Sequence, residues 1–235
     1  RSGIPIGDLG GGVFGALGVL AALVERERTG RGQHVDVSML DVQVSLLNYM
    51  ATMHLMSGVV PGRMGNGHFV HVPYNAFATA DGHVIVACIG DAFFTAFAEM
   101  LGRPELLDPK YAAQPARFAD KAFIERVINE EFVRHGSAYW LERLGAARIP
   151  CGPVNDFAQA LSDPQVRARE MVIDVPLPGG GSVPQPGNPV KLSGAMPFRP
   201  APPPPLGAHS QAVFGELLGY DETKLAGLRA AGAIA

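Results

Sequence analysis

Asp8 stands between the apolar residues Ile4, Pro5 and Ile6 and the three glycines Gly10, Gly11 and Gly12, immediately ahead of an apolar run. An acid at the start of a helix can do one of two things. It can cap the helix by accepting hydrogen bonds from the free amides of the first turn. Alternatively, the same helix end keeps it ionised and poised to attack an electrophilic carbonyl. The small residues after it would let a substrate carbonyl approach the backbone amides closely. Position alone leaves cap and nucleophile both open. The stretch Gly10-Gly11-Gly12-Val13-Phe14-Gly15 also matches G-x-G-x-x-G and is followed by a segment holding Asp36, most of a dinucleotide fingerprint. It lacks the strand that should lead into the glycines, because only residues 4–7 precede them and Pro5 is among these.

Other reactive side chains form weaker patterns. His68 and His71 lie three residues apart in a breaker-rich segment with no third ligand nearby, a poor zinc site, and we assign no metal. Cys151, in the turn Cys151-Gly152-Pro153, could be a nucleophile, although a buried structural thiol is the commoner case. Arg26, Arg28 and Arg31 could hold a phosphate or could simply complement a helix C-terminus.

The elements that position these groups follow from periodicity. Val13, Leu17, Leu20 and Val24 recur at helical spacing and predict a helix over 11–29 that stops at Gly30. Alternation over 34–39 predicts a half-buried strand, and 40–56 a second long helix, mostly buried. Gly58, Pro61, Gly62, Gly65 and Gly67 mark 57–73 as a loop. Strands are expected at 74–79 and 83–89 around the hairpin turn Ala80-Asp81-Gly82. Helices are expected at 92–101, 120–134 and 137–147, then a turn at 151–154 and a short helix near 156–161. A strand pair over 171–198 should turn at 178–182. Residues 200–205 read as an extended proline-rich linker, and two closing helices begin near 210 and 221 and end at 234.

Composition narrows the function classes. The 235 residues are 47% hydrophobic and 17% charged, which fits a folded globular protein with a sizeable core. A net charge of -3 supplies no broad positive field for a nucleic-acid backbone. Two cysteines, Cys88 and Cys151, fit a reducing cytoplasm rather than a disulfide scaffold. The apolar run over 13–24 is interrupted by Gly15 and Gly18 and reads as too short to span a bilayer, so no membrane partner is expected. Arg1-Ser2-Gly3 leads almost directly into the Asp8 motif, as though the chain were cut from something longer.

Several separate stretches together resemble the class III CoA-transferases, the family of formyl-CoA:oxalate and carnitine CoA-transferases. They are Ile6-Gly7-Asp8 with its glycines, the run over 27–33 (Glu-Arg-Thr-Gly-Arg-Gly-Gln), Arg63-Met64-Gly65-Asn66-Gly67-His68, Pro73-Tyr74 and Thr79-Ala80-Asp81-Gly82. Further on come 149–154 (Ile-Pro-Cys-Gly-Pro-Val), 163–169 (Asp-Pro-Gln-Val-Arg-Ala-Arg) and Leu206-Gly207-Ala208-His209. No single piece is specific, but their order and spacing run along nearly the whole chain.

The resemblance implies an α/β fold with a Rossmann-like large domain and a small α+β domain, of which this chain would be a C-terminal part. On that view residues 1–57 are a large-domain segment with the catalytic acid, 58–170 the small domain, and 171–235 the return to the large domain. It also implies that Asp8 attacks an acyl-CoA thioester to form a mixed anhydride, that free CoA converts this to an aspartyl-CoA thioester, and that an acceptor acid then takes the CoA. CoA is thus a substrate, and no permanently bound cofactor is implied. The partners would be an acyl-CoA, a small carboxylic acid and a second copy in an interlocked homodimer, with the isolated chain inactive. Gly10 and Gly11 would make room at the acid, and Gly65, Asn66, Gly67 and His68 fall where a glycine-rich loop closes over intermediates. The α-methylacyl-CoA racemases share the acid and use it for proton transfer. They typically carry Ile-Glu-Pro where this chain has Ile89-Gly90-Asp91, which favours transfer. A non-catalytic CoA- or nucleotide-binding module is the third reading, and it requires Asp8 to be a cap.

Overall fold

In the computed structural model, which describes residues 3–194 and 200–235, helix α1 (Ile6–Thr29) runs through the glycines instead of starting after them. Its half-buried positions Gly7, Gly11, Gly15, Gly18 and Ala22 recur at intervals of three and four and form one narrow face. Helix α2 (Met39–Leu46) and the extended segment 31–38 lie against that face. A Cβ on Gly10 would sit 2.8 Å from Val42 Cγ1, and one on Gly18 2.8 Å from Val35 Cγ1. The glycines therefore let a second layer of backbone close onto α1. The larger residues Val13, Leu17, Leu20 and Val24, whose spacing predicts a core-facing stripe, are all exposed. With its leading glycines included, α1 has 24 residues and is long and apolar enough to cross a membrane by length and composition, as the 13–24 run alone is not. A core helix of a soluble protein passes the same test.

The strand expected at 34–39 has no ladder partner among the described residues. Its Val35 and Val37 pack on Gly18 instead. The single helix expected over 40–56 is two, α2 and α3 (Asn48–Ser57), because Asn48 takes a left-handed φ of 52°. Asparagine is one of the few residues that tolerates this conformation. Ser38 caps α2, accepting from the Asp41 amide at 3.4 Å. In the two helices only Val42 is buried, against the expectation of a mostly buried element. Residues 58–73 are irregular, as their glycines and prolines predict.

The core forms around a three-stranded sheet of order β1-β2-β3: β1 (Tyr74–Ala78), β2 (His83–Ala87) and β3 (Cys151–Pro153). The first two are the expected hairpin, with Tyr74 opposite Ala87 and Ala78 opposite His83. The third replaces the turn read at 151–154: the Ala87 amide donates to Pro150 O at 2.9 Å and brings that segment onto the free edge of β2. Helices α4 (Asp91–Leu101), α6 (Lys121–Phe132) and α7 (Ser137–Ala146) pack on the sheet. They bury Phe94, Phe97, Ile128, Phe132, Trp140 and Leu144, with Phe132 and Trp140 stacked at 4.4 Å. The α4–α6 connection holds two 3-10 turns, Pro104–Leu107 and Pro109–Ala112, and a short helix, α5 (Gln114–Ala119), which periodicity does not announce.

Apart from Pro153 at the end of β3, these residues belong to one compact unit, Arg1–Gly152, and the rest of the chain, Pro153–Ala235, forms a second. In the second unit, α8 (Phe157–Ser162) starts at a reciprocal cap between Asp156 and Gln159, and α9 (Pro164–Ala168) is capped by Asp163. Strands β4 (Val172–Pro176) and β5 (Ser182–Pro186) make the expected hairpin, with Val172 opposite Pro186. The ladder ends there, short of 198, and 195–199 lie outside the described residues. A π-helical turn, Gln211–Leu217, and α10 (Glu222–Ala230) close the chain. The whole is a mixed α/β fold.

Candidate active site

Asp8 is the third residue of α1. The N-cap position belongs to Pro5, which has no side-chain oxygen to offer. The capping role is therefore not the one Asp8 plays: among the described residues its carboxylate makes no hydrogen bond or ion pair, and it is exposed. It lines an open concavity of about 790 Å³ together with residues 3–7, Met39 and Gln43. An anion in the first turn is favoured by the unsatisfied amides and dipole of the helix end, while its oxygens stay free to approach an incoming carbonyl.

Gly10 and Gly11, expected to make room for a substrate beside the acid, face α2 instead. A Cβ on Gly11 would lie 3.2 Å from Met39 Cγ, and the Gly10 position is closed by Val42. Because the glycines are helical and α1 begins ahead of them, no loop of free amides exists for a pyrophosphate, which removes the G-x-G-x-x-G reading. Their contribution to the site is indirect: they hold α2, and with it Met39 and Gln43, against the helix that carries Asp8.

The second expected cluster folds as a unit of its own. Gly65 takes a left-handed φ of 60°, and the Gly67 amide donates to Met64 O at 3.0 Å. A Cβ on Gly67 would meet Lys121 Nζ at 2.6 Å, so the lysine from α6 lies directly against the turn. His68 Nδ1 accepts from the Val70 and His71 amides at 3.0 and 3.1 Å, while Nε2 faces the Tyr49 hydroxyl at 3.5 Å. With Nδ1 accepting, the ring proton belongs on Nε2. The imidazole stacks on Phe69 at 4.4 Å and on Tyr74 at 5.0 Å. Burial, then the neighbouring His71 and Lys121 charges, hold its pKa below the ordinary histidine value. None of Gly65, Asn66, Gly67 and His68 lines the concavity around Asp8, so the two expected clusters stand apart in this chain.

The thiols are unsuited to attack: burial pushes Cys88 up to about 12 in spite of the Arg117 charge, and burial raises Cys151 as well. Arg28 is taken up by Glu25 at 2.7 Å and Arg26 faces Glu27 at 3.4 Å, both near the end of α1. Sequence reasoning missed Tyr49 and Lys121, which lie 19 and 53 residues from His68. It also missed Arg117, fully buried, which donates to Tyr111 O at 2.7 Å, Ala112 O at 3.1 Å and Gln114 Oε1 at 2.8 Å, pairs with Asp91 and lies over the Phe94 ring. No local signal marks any of these.

The chain as a whole is similar to known proteins. The model of CoA-transferase family III matches residues 1–210. Acetyl-CoA:oxalate CoA-transferase of Acetobacter aceti is 36% identical over 82% of this chain and 48% of its own length. Human succinyl-CoA:glutarate CoA-transferase is 29% identical over all of this chain and 54% of its own length. The chain thus spans about half the length of the curated relatives it matches. Among solved structures, a CAIB/BAIF family protein from Brucella suis superposes with a TM-score of 0.76 at 32% identity, covering 92% of this chain and 56% of that one. By sequence and by fold, the chain belongs to CoA-transferase family III.

Proposed function

We propose that this chain carries the nucleophile of an enzyme that moves CoA from an acyl-CoA thioester to a small carboxylic acid. The observation that carries the reading is the Asp8 carboxylate, without a hydrogen-bond or ion-pair partner among the described residues, at the first turn of α1 and facing an open concavity. The names of the relatives, transferases acting between CoA thioesters and oxalate or glutarate, support the substrate class. An Asp8 oxygen attacks the thioester carbonyl carbon, the C–S bond breaks, and CoA leaves as the thiolate. The resulting mixed anhydride keeps the energy of the thioester. The CoA thiolate then attacks the aspartyl carbonyl, the donor acid departs as its carboxylate, and Asp8 holds CoA as a thioester. The acceptor carboxylate attacks that thioester, expelling the thiolate and forming a second anhydride. Attack of the thiolate on the acceptor's acyl carbon releases the new acyl-CoA and regenerates Asp8. Every step exchanges one acyl bond for another, so no redox partner or metal is required.

The exposed apolar side of α1 supports a further part of the reading: in the whole enzyme it is covered, by more protein and by the second subunit of an interlocked dimer. The test is the variant Asp8→Ala in that enzyme. Because Asp8 caps nothing, its removal should cost only about 0.3–1 kcal/mol of helix-dipole stabilisation, while transfer falls to background. Hydroxylamine added with the acyl-CoA should convert acylated Asp8 to a hydroxamate found by mass spectrometry. Near-normal transfer by the variant, a hydroxamate only at another carboxylate, or solvent exchange of the substrate α-proton without any adduct would each refute the assignment.

A further inference from the structure

The His68 imidazole has a task in the fold that is separate from the chemistry proposed for Asp8. Its Nδ1 is the acceptor for two consecutive-turn amides, those of Val70 and His71, at 3.0 and 3.1 Å. Its own amide donates to Tyr74 O at 2.9 Å, which anchors the ring to the first residue of β1. One nitrogen lone pair therefore holds two amides of residues 68–71, alongside the Gln114 Nε2 that donates to Val70 O and the Lys121 Nζ that reaches His68 O, and that lone pair exists only while Nδ1 carries no proton. We infer that neutral His68 is the clasp of the loop over residues 64–74, and that protonation of its Nδ1 releases the Val70 and His71 amides and opens the loop.

The groups packed around the ring set the sense of the response. From the same loop, the His71 ring lies 4.7 Å away. From α6, Lys121 Nζ reaches His68 O at 3.4 Å, and Glu125, 3.8 Å from Lys121, offsets part of that charge and accepts from Asn75 on β1. From α3 comes only the Tyr49 hydroxyl, and from β1 the face of Tyr74. A positive imidazole would thus gain two unfavourable neighbours and lose two hydrogen bonds, with no acid among the described residues in direct contact to compensate. Burial acts in the same direction, and the folded pKa is lowered from the ordinary value of 6.5. For a histidine so lowered, the clasp is fully present above that ordinary value and is lost as pH falls through the lowered one. Each unit of lowering corresponds to about a tenfold change in the ratio of open to closed loop.

Amide exchange on the 15N-labelled chain, without any substrate, tests this independently of transferase activity. Rates are corrected for intrinsic exchange, and the Ile128 amide within the buried part of α6 reports global opening. Between about pH 7.5 and pH 5 the Val70 and His71 amides should lose protection while Ile128 keeps it. His68→Asn places an amide oxygen where Nδ1 was and cannot titrate, so protection should persist at both pH values. His68→Phe, with no acceptor, should lose it at both. Direct titration of the His68 ring in the unaltered chain guards against a variant that fails to fold: it should show an Nε2–H tautomer and a pKa below that of an ordinary histidine. Protection that survives acidification in the unaltered chain would overturn the clasp, as would its loss in His68→Asn, its retention in His68→Phe, or an Nδ1–H tautomer.

Discussion

Replacing Gly10 and Gly12 by alanine, one at a time, should move stability in opposite directions, although the residues are two apart on one helix. An alanine in a helix interior is favoured over glycine by about 0.8–1.0 kcal/mol. At Gly12 nothing lies within 4 Å of the added methyl, so Gly12→Ala should gain most of that amount. At Gly10 the methyl would stand 2.8 Å from Val42 Cγ1 and 3.5 Å from Leu46 Cδ1. Val42 cannot turn away cheaply, because a β-branched side chain on a helix has essentially one χ1 rotamer. Forcing α1 and α2 apart at a buried contact costs about 1–3 kcal/mol. Subtracting the propensity gain leaves Gly10→Ala neutral to about 2 kcal/mol destabilising, and about 1–3 kcal/mol below Gly12→Ala. Gly11→Ala should fall between them, since its neighbour at 3.2 Å is the flexible Met39 side chain.

Urea denaturation midpoints of the three variants, with the slope checked for constancy, measure the order directly. A double-mutant cycle isolates its cause: in a Val42→Ala background the obstructing methyl is gone, and Gly10→Ala should recover a coupling of about 0.5–3 kcal/mol. Gly10→Ala stabilising as much as Gly12→Ala, or a cycle with no coupling to Val42, would refute the claim that the glycines exist to admit α2.

Two further outcomes follow from other contacts. Arg117→Met should cost about 2–3 kcal/mol by chemical denaturation, because it leaves the buried Tyr111 carbonyl without its donor while the Ala112 carbonyl and Asp91, 61% exposed, resolvate; a loss under about 1 kcal/mol would mean the arginine is not what pins the α4–α6 connection. The Ser137 amide and hydroxyl and the Thr79 hydroxyl hold the Asp81 carboxyl below its ordinary value of 3.8, so its contribution is present above that value and lost as pH falls through the lowered one; in acid titrations of the melting temperature Asp81→Asn should flatten the response, and an unchanged acid limb would refute the assignment.

Where local chemistry settles the conformation, the fold was legible in the sequence. The hairpin at 74–87 follows from alternation and an Asp-Gly turn, and α4, α6 and α7 from apolar residues at helical spacing that do reach the core. The readings fail where a partner decides. Residues 34–39 alternate like a strand but have no strand beside them among the described residues, and they lie on Gly18. Residues 151–153 carry a turn sequence and become a strand because the edge of β2 is open to them. In α1 the periodicity is real but its meaning is reversed: Val13, Leu17, Leu20 and Val24 do share a face, and the glycine face is the one that packs. Two helices can approach that closely only where one has no side chains, and a hydrophobicity count gives such positions no weight.

The site divides along the same line. Asp8 stands out as a candidate because an acid ahead of three glycines at a helix start is a short-range pattern, though the helix begins earlier than those glycines suggest. Pro5, a residue that fits the first turn and forms no cap of its own, is what moves the start back and turns Asp8 from a flanking residue into a first-turn residue. That shift bears on mechanism. A capping carboxylate has its oxygens committed to amides and must give those bonds up to attack. A third-position carboxylate, which for Asp8 has no partner among the described residues, feels the same helix end and has no such bonds to give up. The surroundings of His68 were beyond such reading, because Tyr49, Tyr74 and Lys121 reach it from three different elements. Two histidines in a loop look alike in sequence, but only His68 has its Nδ1 aimed at backbone amides, whereas the His71 Nδ1 is buried without a partner among the described residues. The difference between them is one of ring orientation, set by stacking on Phe69 and Tyr74, and spacing along the chain does not encode it.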